Sequence, residues 1–407
     1  MGGRYSSTVF LFATMLAACG PGGKGSPPKH QTSTAPEAVD TSSPRETGAA
    51  SERVAERPDE PNVPFAMSGG GPLHHHRAEV PGPSAMPTEV SRFQCGDRIA
   101  ASPIIGPDGT IYIGAVDGTF NALSRNGDLR WSYICDAPIF STAAVSSTGK
   151  VFVGCDDDTL TAFSTDGTLR FVFHAKEDMD SSPVIAEDGT IYVGGDNLYA
   201  LDGDGNPKFK LGLGAHVSAS PAVRPDGVIA VGSHDHRFYL IEPDGTVTAA
   251  FATKGAIQGA AAALEKNDVV FGSDDGNLYR LAPKGGVRWK LSLDGAVRGG
   301  IAVTASEDTF YTATMAGTVF AVDAEKGAVK WQTALGGPVR AAPLLDSDGR
   351  LYVGSRDGSL YALNAADGEI VWRLELGAEV DATPAAAYGN RLVAAADDGV
   401  VRILEVQ

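Results

Sequence analysis

The chain has 407 residues, 43 % of them hydrophobic, enough to bury a large core and too many for a chain disordered throughout. Against 50 Asp+Glu stand 33 Lys+Arg, and the net charge of −17 excludes binding to nucleic acid or anionic lipid through a broad basic surface. With 50 glycines, 24 prolines and no collagen period, the composition points to a fold full of tight turns.

In chain order, the first element is an address. Arg4 precedes the apolar run Val9–Leu16, too short for a bilayer span of ~20 residues but the size of a signal-peptide core. The run closes on Leu16-Ala17-Ala18-Cys19-Gly20. Small residues before a cysteine at that place resemble the lipobox of bacterial lipoproteins. That resemblance implies a signal peptide over 1–18, cleavage before Cys19, lipidation of Cys19, and sorting to the outer membrane with Gly20 in the following position. Residues 19–63 are Pro, Gly, Ser, Thr, Ala and scattered charge with almost no aromatic side chain. Such a segment cannot offset its ordering entropy and is expected to be a disordered tether reaching ~33–40 Å. The Cys19 lipid is then the expected sole contact with the membrane.

The remainder repeats. Apolar segments begin at Ile111, Val151, Ile191, Ile229, Val269, Phe310, Leu351 and Leu392, and successive starts lie 40, 40, 38, 40, 41, 41 and 41 residues apart. Each opens two alternating strands around a tight turn, mostly Asp-Gly, as in IYIGAVDGTFNAL from Ile111. No segment of helical period falls between them, which excludes parallel βαβ units. Upstream of the hairpins sit small residues, such as Ala101-Ser102-Pro103 and Ala341-Ala342-Pro343. Downstream comes an aromatic: Trp131, Phe171, Phe209, Trp289, Trp331 and Trp372, with Phe251 displaced in the fourth copy. Four strands per ~40 residues is the arithmetic of a β-propeller blade. Small residues suit innermost strands, where space is short, and aromatics fill the wide gaps between blades. The fold expected is all-β: an eight-bladed β-propeller of four-stranded antiparallel blades over 64–407. The eighth copy stops after its third strand, and Thr88–Gln94, with Phe93 as its aromatic, is expected to complete that blade and close the ring.

Ala321-Val322-Asp323 through Gly327 to Trp331, and Ala362-Leu363-Asn364 through Gly368 to Trp372, resemble the A-x-D-x-x-x-G-x-x-x-W signature of PQQ-like, quinoprotein-type propeller repeats. Pro64–Pro72 is similar to the lead-in of such propellers. An enzyme of that class would need a quinone pocket with calcium, a catalytic Asp and commonly a disulfide between adjacent cysteines. Neither a vicinal cysteine pair nor a large insertion is present in the sequence, so no cofactor and no catalysis are expected. Lipobox and propeller together resemble the propeller lipoproteins of the outer-membrane β-barrel assembly machinery. This implies a monomeric scaffold in the cell envelope, facing the periplasm, that docks other envelope proteins. The alternative is a glycan or small-ligand receptor using the central funnel.

Several polar features invite a site. Asp117, Asp157, Asp196, Asp235, Asp275, Asp357 and Asp398 occupy equivalent hairpin turns, Ala316 being the exception, and a propeller brings such turns to one face. The plain reading is turn chemistry, the other a cation or basic partner on an acidic ring. His234 and His236, and His74-His75-His76, have metal-ligand residue types but no third ligand in view. Asp202-Gly203-Asp204-Gly205-Asn206 begins like a calcium loop and fails at Pro207 and Leu213. Beyond Cys19, Cys95, Cys135 and Cys155 allow one disulfide, Cys135–Cys155 or Cys95–Cys135.

Overall fold

A computed structural model describes residues 67–406 except Glu177 and Tyr388. Every described residue belongs to one compact unit, Pro58–Gln407. The signal segment, Cys19 and the tether therefore lie outside the described residues.

Eight four-stranded antiparallel sheets follow one another along the chain. Blade 1 holds Ile104–Ile105, Ile111–Gly114, Thr119–Leu123 and Leu129–Ile134 from the axis outward, and blades 2 to 7 repeat the order. Burial explains which sequences serve where. The second and third strands are covered on both faces, so their apolar runs are continuous, whereas outer strands such as Leu129–Ile134 alternate exposed and half-buried residues. In every blade the pairing of third and outer strands shifts by one residue, as between Ala122 and Leu123. A bulge there increases the local twist each blade needs.

Blade 8 is built from both ends of the described chain. Ala385–Ala387, Arg391–Ala395 and Val400–Glu405 form its inner three strands, and Thr88–Gln94 pairs antiparallel with Val400–Glu405, from Thr88 opposite Glu405 to Gln94 opposite Val400. The inner strand of blade 8 meets that of blade 1, so the ring is closed.

Adjacent blades are joined by one repeated device. In five blades a glycine in the turn before the outer strand lies on the aromatic of the preceding blade: Gly167 on Trp131, Gly205 on Phe171, Gly245 on Phe209, Gly327 on Trp289 and Gly368 on Trp331. At Gly368, φ is +78° and an added Cβ would lie 2.5 Å from the Trp331 ring, so only glycine fits. The tryptophan edges are satisfied across the same seam, the Trp131 and Trp331 indole N–H groups donating to Thr165 O (2.8 Å) and Ala365 O (3.0 Å). Phe93 differs from its sequence assignment. It pairs with Val401, in the register of Tyr133 and Phe251, while Ser91 stands under Gly127 at the place of the aromatic. Because alternate residues face opposite ways, Phe93 and Ser91 share one face, and the aromatic has moved two residues along it.

The lead-in is a strap across the axis. After a short 3₁₀ turn at Ser68–Gly70, its carbonyls accept amides from the inner strands of four consecutive blades: Val223 to Pro72, Ala263 to Leu73, Val303 to His75 and Leu345 to His76, all 2.8–2.9 Å. It then crosses blade 7, where the Tyr352 hydroxyl (3.2 Å) and the Trp372 indole (3.3 Å) both donate to Pro83 O. That cover replaces the turn glycine that blade 8 cannot provide, and Trp372 is the most deeply buried of the four tryptophans.

Candidate functional site

One end of the ring carries the blade-to-blade connections and the hairpin turns between second and third strands, joined by pairs such as the Cys135 amide to Gly118 O and the Val116 amide to Arg98 O. At its centre opens a funnel of about 450 Å³, with Ser68 and His76 of the strap as its floor.

Two tiers of side chains line it. The deeper tier is a hydroxyl belt that stitches inner strands together. The Ala342 amide donates to Thr383 Oγ1, the Thr383 amide to Ser102 Oγ, and the Ser102 amide to Thr142 Oγ1, at 3.0–3.1 Å. The Thr142 amide then donates to Ser182 Oγ (3.0 Å) and the Ser182 amide to Ser220 Oγ (3.2 Å). In blades 5, 6 and 7 the same place is Ala260, Gly300 and Ala342, and that gap is filled by His76. A Cβ on Gly300 would lie 2.2 Å from His76 Nε2. The His76 side chain is buried, and neither ring nitrogen has a hydrogen-bond partner. Burial, then the neighbouring His74 and His75, push its pKa down to about 3, so the ring is neutral.

The upper tier has one residue per blade, directly before the small pair: Ala100, Phe140, Asp180, Ser218, Gln258, Arg298, Arg340 and Asp381. Its charges fall on different arcs. Asp180 Oδ1 bonds His216 Nε2 at 2.8 Å, and that bond, against the opposing effect of burial, raises the His216 pKa. Behind them Asp156 has its carboxyl pushed up to about 7 by burial and by Asp180 and Asp178. On the other arc, Arg298 forks onto Asp274 (2.8 and 3.2 Å), and Arg356 forks onto the buried Asp381 (2.8 and 2.6 Å). Arg340 lies 3.9 Å from Asp381.

The turn aspartates share this end of the ring, but their carboxylates are engaged in their own turns. Backbone amides two residues on donate to Asp117 (3.0 Å), Asp235 (2.9 Å), Asp275 (3.2 Å), Asp357 (3.0 Å) and Asp398 (3.1 Å). The hydroxyls of Tyr239, Tyr279 and Tyr361 cap Asp235, Asp275 and Asp357, Thr159 caps Asp157, and Arg402 holds Asp398. Asp196 lies in a shorter turn, 3.8 Å from His216 Nδ1. The other metal-type residues do not converge. His234 bonds Ser218 (2.8 Å) and His236 is exposed, while His75 bonds Ala263 O (2.6 Å).

Of the two disulfide pairings the sequence left open, the structure takes Cys135–Cys155, and Cys95 stays buried with a free thiol whose pKa burial raises to about 12. Among the described residues the one group close enough to grip a metal is Cys135, Cys155 and Asp157, and its two sulfurs are joined to each other.

A flat tricarboxylate quinone such as PQQ would need aromatic walls and uncommitted cations, and its calcium free carboxylates. The funnel has one aromatic, Phe140, so no aromatic walls face each other across it; of its carboxylates, Asp381 is taken up by Arg356 and Asp180 is held on one oxygen by His216. The lining does not fit that cofactor. The upper tier escaped sequence reasoning, although a signal was there: one variable residue per repeat, always just before the small pair.

Fold and strand register together define an eight-bladed propeller of PQQ-like repeats. The chain belongs to the family described as outer membrane protein assembly factor BamB, whose model matches residues 85–206, 121–270, 172–296, 274–348 and 345–406. Among solved structures, BamB from Moraxella catarrhalis is 18 % identical, with a TM-score of 0.66 over 79 % of this chain and 100 % of that one. A europium-containing methanol dehydrogenase is 13 % identical, at a TM-score of 0.71 over 82 % of this chain and 89 % of that one. The quinohemoprotein alcohol dehydrogenase from Comamonas testosteroni is 12 % identical, at 0.71 over 84 % and 80 %. These likenesses are of fold. No curated protein matches.

Proposed function

We propose that the protein is a non-catalytic scaffold of the cell envelope, anchored through a lipid on Cys19 to the outer membrane and facing the periplasm, that docks other envelope proteins during outer-membrane protein assembly. The observation that carries this reading is the family match, which runs through all eight blades. The architecture suits the role: a closed ring presents rigid, differently charged turns on one end, and docking on such a surface costs little ordering entropy. The acidic net charge favours basic protein surfaces over nucleic acid. Crosslinking in intact cells followed by affinity capture and mass spectrometry tests it. Recovery of outer-membrane assembly components supports the reading, and recovery of none of them overturns it. Incorporation of labelled fatty acid into the protein but not into Cys19→Ser tests the anchor. Dye reduction on addition of PQQ and calcium would overturn the non-catalytic part.

A further inference from the structure

The axial funnel has no part in the scaffold reading, and its chemistry is specific. Asp180 lies in blade 3 and Arg340 in blade 7. Four steps apart in a closed ring of eight, they face each other across the axis. The Asp180 Oδ1 atom is taken by His216, which leaves Oδ2 as an acceptor on a side chain that lines the funnel. Asp381 is saturated by the fork of Arg356, so Arg340, 3.9 Å away, keeps its own donors. Below this pair, Ser102, Ser182 and Ser220 each accept a neighbour's amide proton, which leaves each O–H free to donate. On the floor His76 is 96 % buried, with one neutral nitrogen to donate, one to accept and a partner for neither. Buried polar groups without partners are rare in native proteins, and the ring that carries these two lines the floor of the funnel.

We infer that the funnel binds a small zwitterion, an amino acid or short peptide, with its carboxylate toward Arg340 and Arg298 and its ammonium toward Asp180. A simple anion would meet the Asp180 carboxylate and a simple cation the arginines; a ligand carrying both charges is matched on each side. The serine hydroxyls supply donors for the amide or side-chain polar atoms between the charges. The volume of about 450 Å³ accommodates a dipeptide.

The test is isothermal titration of the full mature chain with glycine, glycylglycine, N-acetylglycylglycine and glycylglycinamide. The expected result is saturable binding of glycine or glycylglycine, with each singly blocked peptide bound at least about tenfold more weakly. Arg340→Gln and Asp180→Asn are expected to lose about tenfold in affinity, Arg340→Gln, on the solvated rim, with unchanged melting temperature. Saturation is also expected to shift the ¹⁵N resonances of His76. Stronger binding of glycine identifies a free amino acid as the ligand, and stronger binding of glycylglycine a peptide. Three results overturn the proposal: no heat and no His76 shift at ~50 mM of either zwitterion, blocked peptides binding as well as the open ones, or wild-type affinity in both variants. The blocked-peptide comparison requires no variant to fold, and none of these outcomes depends on which proteins the crosslinking recovers.

Discussion

Asp156 shows how one residue is set by what surrounds it. Its Oδ1 is buried without a partner; burial and the charges of Asp180, Asp178 and Asp157 raise its pKa, and His216 works against them. Its folded pKa of about 7 stands above the ordinary 3.8. A raised carboxyl contributes stability fully below the unfolded pKa, and that contribution is lost as pH rises through the folded one. Hence Asp156→Asn should melt like the wild type near pH 4 and about 1–3 °C higher at pH 8, the gain kept small by solvent screening. Calorimetry at the two pH values decides; a gain at pH 4 equal to that at pH 8 would contradict the assignment. His216, raised by Asp180, drifts in the same direction, its contribution also vanishing with rising pH. None of this was legible in the sequence, because Asp156, Asp180 and His216 come from three different repeats. The histidine tract makes the point again. His74, His75 and His76 are identical letters, yet His74 and His76, both at positive φ, turn their rings into the molecule, while His75 bonds the Ala263 carbonyl. Backbone dihedrals in a stretch that does not repeat leave no periodic trace.

At the scale of elements, the glycine-on-aromatic contact joins the blades, and the two costs in it can be separated. Gly189 and Gly368 have nearly the same φ, +81° and +78°, but nothing lies within 4 Å of a Cβ at Gly189. Gly189→Ala should therefore cost only the left-handed penalty, about 1 kcal/mol. Gly368→Ala also drives a methyl into Trp331 and should cost at least about 1–3 kcal/mol more, read from urea midpoints at equal slope. Equal losses would show that the seam gives way freely. The disulfide supports a different element. Cys135 and Cys155 lie 20 residues apart and tie the entry of blade 2 to its own hairpin turn. Closing a loop of that length stabilises by about 3 kcal/mol in the chain-entropy picture, so Cys135→Ser with Cys155→Ser should lower the unfolding free energy by about that amount. The strands themselves were legible because alternation, Asp-Gly turns and small inner residues recur eight times. Of the single departures from the period, the displaced Phe251 of blade 4 was legible and that of Phe93 was not; Ala249 and Ser91 stand at the usual place of the aromatic in blades 4 and 8.

For the whole molecule, closure is the property on which everything at the turn-bearing end depends, since Asp180 faces Arg340 only in a ring. Two segments near the start of the described chain hold it, and they act differently. The strap over 67–83 lies across four inner strands and covers Trp372, but it is no part of any sheet. Thr88–Gln94 is the outer strand of blade 8, and without it Val400–Glu405 would present an unpaired edge along its whole length. Truncation before residue 84 should therefore open the funnel floor and lower the melting temperature while the protein stays monomeric. Truncation before residue 95 should lower it by a further ~10 °C or more and, because a bare edge recruits a second strand, produce dimers in sedimentation velocity. The order of the two effects is the diagnostic: were the shorter truncation to cost as much as the longer one, the strap rather than the seam in blade 8 would be what keeps the ring shut.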